Sequence, residues 1–74
     1  MNNIRNQEYL IAFGSNLRSI RKAKGLSMEK LAQRAGIEYS QVSDIEHGKI
    51  NTTISTVALI ASTLEIPAKD LFDF

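Results

Sequence analysis

Leu26-Ser27-Met28-Glu29-Lys30-Leu31-Ala32-Gln33-Arg34-Ala35-Gly36-Ile37, running straight into Glu38-Tyr39-Ser40-Gln41-Val42-Ser43-Asp44-Ile45-Glu46-His47-Gly48, decides the fold of this chain. It predicts two short helices with a tight joint. Ser27 is placed to cap the first by accepting a backbone N–H, and Leu31, Ala32 and Ala35 give that helix one apolar stripe. Gly36 supplies the positive-φ residue that stops it. In the second helix Val42 and Ile45 are the only strongly apolar positions, three apart, while Tyr39, Ser40, Ser43 and Asp44 fall off that stripe and carry hydrogen-bonding groups. A helix anchored on one side and polar on the other suits insertion into a DNA major groove.

Outward from this pair the same periodicity continues. Leu10, Phe13, Leu17 and Ile20 recur at spacings of three and four, which predicts a first helix from about Asn6 to Lys24, ended by Gly25. After Gly48 comes the polar loop Lys49-Ile50-Asn51-Thr52. Thr53 is placed to cap a fourth helix whose apolar stripe is Ile54, Val57, Ile60, Ala61 and Leu64. Pro67, at the first helical position where its missing N–H costs nothing, opens a short fifth helix reaching Phe72. Thr52 to Val57 is rich in β-branched residues, yet its apolar positions keep helical spacing. The fold class expected is all-α, with five helices on one small core and a single domain over residues 1–74.

The chain has 74 residues, no cysteine, one histidine and one proline. That length supports one hydrophobic core and no second domain. Without cysteine there is no disulfide framework or thiolate zinc site, and with His47 alone there is no histidine-rich metal site. No nucleophile–base pair and no phosphate-binding glycine loop is present, so neither an enzyme nor a cofactor is expected. With no apolar leader and no run long enough to span a bilayer, a cytoplasmic protein without a membrane partner is expected. The net charge of +1 conceals an asymmetry. Arg5, Arg18, Arg21, Lys22, Lys24, Lys30 and Arg34 face only Glu8 and Glu29 in the first 37 residues, whereas later acids outnumber Lys49 and Lys69. Such segregation can make one basic and one acidic face, although any single exposed charge is most simply a solvated one.

The ordered set Leu17-Arg18-Ser19-Ile20-Arg21-Lys22-Ala23-Lys24-Gly25-Leu26-Ser27, Leu31-Ala32, Ala35-Gly36-Ile37, Val42-Ser43-Asp44-Ile45-Glu46-His47-Gly48-Lys49, Pro67 and Leu71-Phe72 resembles the helix-turn-helix domains of the phage-repressor, Cro and Xre type. The resemblance covers most of the chain. It implies a five-helix fold with the helix-turn-helix at about residues 27–47, transcriptional regulation, and a two-fold symmetric dimer on a palindromic operator. It also implies that Arg21 pairs with Glu46, fastening the first helix to the end of the third. A planar guanidinium that cannot shed its charge suits a two-pronged bond to a carboxylate.

By the same resemblance the base-facing set is Glu38, Tyr39, Ser40, Ser43 and Asp44, with Gln41 at its edge. Tyr39 can hydrogen-bond through its hydroxyl or pack on a thymine methyl, and the two serines can reach either kind of edge. A carboxylate facing the groove is repelled by phosphates unless it finds a donor. Glu38 is therefore read as an imperfect helix cap or a cytosine acceptor, and Asp44 as a base or water contact. Phosphate candidates are Ser27 and the backbone of Met28 at the start of the second helix, and His47, Lys49, Asn51, Thr52 and Thr53 around the later loop. Met28 stands where the family often has glutamine. Arg34 could reach a phosphate or satisfy helix carbonyls.

Leu71, Phe72 and Phe74 are more bulk than so small a core needs. Phe72 is expected to fold inward, leaving Leu59, Ile66 and Phe74 for a homodimer interface. The function expected is a dimeric, sequence-specific regulator, a repressor or stand-alone controller, with double-stranded DNA as partner. The alternative is an antitoxin-like or other protein-interaction module on the same fold, with DNA binding secondary.

Overall fold

The computed structural model describes residues 5–74. Its elements are α1 (Gln7–Ala23), α2 (Met28–Ala35), α3 (Tyr39–Glu46), α4 (Ile54–Leu64) and a closing 3-10 helix, Ala68–Phe72. Side-chain oxygens start three of the four α-helices: Asn6 Oδ1 accepts from Tyr9 N–H at 3.0 Å, Ser27 Oγ from Lys30 N–H at 3.0 Å, and Thr53 Oγ1 from Thr56 N–H at 3.1 Å. Each bond satisfies a donor that has no partner within its helix.

All four α-helices end in one way. An N–H one or two residues past the cap reaches back five, as Leu26 to Arg21, Ile37 to Ala32, Lys49 to Asp44 and Ile66 to Ala61. That closure needs a left-handed residue, which Gly36 supplies at φ 72° for α2. At the end of α4 the residue is Glu65, at φ 59°. A Cβ is strained there, so Glu65→Gly is expected to raise stability by about 1 kcal/mol, read as a higher urea midpoint at unchanged m.

The core is built from Phe13 and Leu17 of α1, Leu31 and Ala32 of α2, Val42 and Ile45 of α3, Val57, Ile60, Ala61 and Leu64 of α4, and Leu71. α3 lies between α1 and α2, so its two apolar residues are gripped from both sides while its outer face stays open. Three expectations need correction. The last element is a 3-10 helix, begun by Asp70 N–H to Pro67 C=O at 3.0 Å, and Pro67 stands before it as the cap. Phe72 does not fold inward: Leu71 takes the core position, and Phe72 lays its ring against Phe13 at 5.0 Å while remaining 44% exposed. Ile54, assigned to the apolar stripe of α4, is 88% exposed because it lies in the helix's first turn, at the edge of the stripe.

Candidate nucleic-acid interface

α3 is fixed at its C-terminal end by a buried ion pair. Arg21 Nε and Nη2 donate to the two carboxylate oxygens of Glu46 at 2.6 and 2.9 Å, and Arg21 Nη1 donates to Leu26 C=O at 2.8 Å. Both residues are buried. The hydrogen bond that Arg21 donates to Glu46 raises the guanidinium pKa above its ordinary value, against the opposing pull of burial. Every polar atom of the pair is satisfied, which is what makes the burial tolerable. Directly beside it Gly14 lets α1 cross the end of α3, because a Cβ there would sit 2.3 Å from Ile45 O and 2.5 Å from Glu46 O. The signal in the sequence was a glycine inside an apolar helical stripe.

On the open side of α3, Glu38, Tyr39, Ser40 and His47 are exposed, with Gln41, Ser43 and Asp44 partly exposed. Ser40, Ser43, Asp44 and His47 recur at spacings of three and four, hence on one face. Glu38 occupies the cap position of α3 and makes no side-chain capping hydrogen bond, so it caps that helix only imperfectly, as its sequence position implied. Tyr39 also lines an open cleft of about 480 Å³ with Ser27, Glu29, Lys30 and Gln33. Lys30 and Gln33 were not singled out from sequence, since nothing in their local pattern shows that they face the start of α3.

Among the phosphate candidates Ser27 keeps its hydroxyl proton free while its oxygen caps α2. Met28 lays its side chain against the core, leaving its backbone N–H at the helix start. Thr53 spends its hydroxyl within α4, accepting from Thr56 N–H and donating to Thr56 Oγ1 at 3.0 Å. Its candidacy as a side-chain phosphate donor is thereby weakened. The His47 ring folds back so that Nδ1 meets Ser43 C=O at 2.7 Å. A carbonyl only accepts, so Nδ1 carries the proton of that bond. Lys49 and Asn51 are exposed and Thr52 is half-buried, together forming the surface of the loop after α3. Arg34 is exposed in the last turn of α2. Among the described residues no group of three potential metal ligands is assembled, and no helix is long and apolar enough to cross a membrane.

Two helices with a glycine joint, the second held on the first and presenting an open polar face, define a helix-turn-helix fold. The chain belongs to the helix-turn-helix family of DNA-binding transcriptional regulators, whose model matches residues 17–71. It is 38% identical over 74 residues to Control protein C.BamHI of Bacillus amyloliquefaciens, covering 99% of this chain and 85% of that protein. The crystal structure of the restriction-modification controller protein C.AhdI from Aeromonas hydrophila superposes with a TM-score of 0.84 at 40% identity, over 85% of this chain and 96% of that one. The immunity repressor of Bacillus phage phi105 is 34% identical over 53 residues, 72% of this chain but 37% of the repressor. The chain thus spans most of a control protein and well under half of that longer regulator.

Proposed function

We propose that the protein is a sequence-specific regulator that binds a two-fold symmetric operator as a homodimer, in the manner of a restriction-modification control protein. The observation that carries the DNA reading is the placement of Tyr39, Ser40, Ser43 and Asp44 on the open side of a helix whose other side and C-terminal end are buried. Similarity to C.BamHI and C.AhdI along nearly their whole lengths supports the control-protein class. In this reading Glu38 and Gln41 border the base-reading set. Ser27, the Met28 backbone, Lys49, Asn51 and Thr52 engage phosphates, with His47 and Arg34 at the margins.

Support for the homodimer comes from α4. Its eleven residues include no charged side chain, yet Ile54, Ser55, Ala58, Leu59 and Ser62 are exposed. A half-exposed helix without charge suits a protein interface. Leu59 is 40% exposed there, and Phe74 is 52% exposed while its ring meets Tyr9 edge-on at 5.0 Å. Ile66 leans on the core and has less to offer a partner than its sequence position implied. Leu59→Glu is expected to yield a monomer by sedimentation equilibrium and to bind operator DNA at least tenfold more weakly; a variant that stays dimeric removes Leu59 from the interface.

The test of the whole reading is selection of bound duplexes from a random pool. A palindromic consensus is expected, with half-sites about one helical turn apart. Recovery of no consensus, together with only roughly micromolar binding of mixed DNA at physiological salt, would favour a protein-interaction module instead. Tyr39→Ala should relax base preference, whereas Lys49→Ala should weaken all duplexes alike and flatten the salt slope by about one unit.

A further inference from the structure

The turn that follows α3 is held from behind by the start of α1. Arg5 Nη2 donates to Lys49 C=O at 2.6 Å and to Gly48 C=O at 3.3 Å, and Gln7 Nε2 donates to Gly48 C=O at 2.9 Å. Arg5 Nε also donates to Gln7 Oε1 at 3.0 Å, so the two side chains orient one another. Gly48 itself rests on α1, where a Cβ would come within 2.7 Å of Ile11 Cγ1. None of these groups is needed to form α3, whose closing bond, Lys49 N–H to Asp44 C=O at 2.8 Å, is already made.

What the clamp does follows from peptide geometry. A trans peptide is planar, and its C=O and N–H point in opposite directions. No described peptide bond is cis. Pulling Lys49 C=O toward Arg5 therefore turns Ile50 N–H away from Arg5. That N–H makes no hydrogen bond to any described residue. It lies between Lys49 and Asn51, both exposed, on the loop whose side chains were assigned to phosphate above. Two acceptor oxygens that would repel a phosphate are thus occupied, while the Ile50 donor is left unpaired among the described residues.

We propose that Arg5 and Gln7 are positioning residues for DNA binding: their hold on the Gly48 and Lys49 carbonyls aims Ile50 N–H at a phosphate of the DNA backbone. This rests on the DNA-binding reading of the same loop. The clamp carries no sequence information, so it acts on affinity and leaves base preference alone.

Gln7 makes the inference testable, because its removal changes no charge. Gln7→Ala is expected to weaken the selected operator and a scrambled duplex by the same factor, about three- to tenfold, at an unchanged salt slope. Arg5→Gln should do the same with at least as large a loss. In wild type, the 15N-amide resonance of Ile50 should move on titration with a short duplex carrying the selected operator, and in Gln7→Ala that movement should shrink. Thermal melts of each variant are run alongside, since loss of fold would lower all amide responses and not that of Ile50 in particular. The clamp is overturned if Gln7→Ala binds like wild type, or if it binds more weakly while the Ile50 response is unaltered. Wild-type protein that binds no duplex overturns the DNA-binding reading instead.

Discussion

Glu46→Ala is expected to remove about 3–5 kcal/mol of folding stability, read as the loss of urea midpoint at constant m. The variant leaves the Arg21 guanidinium buried with one remaining acceptor, Leu26 C=O. Most of the cost is this stranded charge and not the net worth of the pair. A domain of this size holds about 4–11 kcal/mol in all, so the loss is a large share of the total. The double variant Arg21→Met/Glu46→Leu is expected to be markedly more stable than Glu46→Ala, because both charges leave together. A loss below about 1 kcal/mol for Glu46→Ala would mean that Arg21 reaches water. The pair joins α1 to the last residue of α3, so its loss frees the C-terminal end of α3, the helix proposed to read the DNA.

Gly14→Ala carries the second large expectation. One added methyl would be driven to 2.3 Å from Ile45 O and 2.7 Å from Glu46 C, and all three of its nearest neighbours are backbone atoms that no rotamer change relieves. Overpacking commonly costs about 1–3 kcal/mol, and a clash with backbone places this variant at or above the top of that range, even after alanine's better helix propensity is credited. The helices must separate to admit it, which also lengthens the Arg21–Glu46 bonds made next to the same crossing. Reduced operator affinity should therefore accompany the lower urea midpoint, with α-helix content by circular dichroism retained. Wild-type stability in Gly14→Ala would contradict so close a crossing.

Features legible in the sequence divide from the rest along chain separation. Ser27 and Thr53 were legible as caps because the N–H each one satisfies lies three residues away. The buried faces of α2 and α3 were legible because Leu31, Ala32, Ala35, Val42 and Ile45 follow the helical repeat. The stop at Gly36 was legible because one left-handed residue is sufficient to close a helix. Ile54 misled because a stripe has edges, and where the edge falls depends on the neighbouring helices, not on the repeat. The exchange of Phe72 for Leu71 has the same origin, since a 3-10 helix, with three residues per turn, points side chains differently from the α-helix that was expected. The left-handed Glu65 left no local sign, as glutamate is a poor residue for that conformation.

The candidate site divides in the same way. The family resemblance marked Arg21 and Glu46 and the polar face of α3, while cap chemistry marked Ser27. Arg5 and Gln7 carried no mark, because their acceptors are 44 and 41 residues away. Gln33 and Lys30 became part of the cleft with Tyr39 only once α2 and α3 were packed.

Helix order, helix ends and which residues are apolar on each helix were written into the chain itself, because they depend on hydrogen bonds and side-chain spacing over three to five residues. How closely α1 crosses α3, which apolar residues remain in water, and what holds the turn after α3 were settled by packing. Those features arise where distant segments meet, and the free energy of such a meeting depends on shapes that no local pattern records.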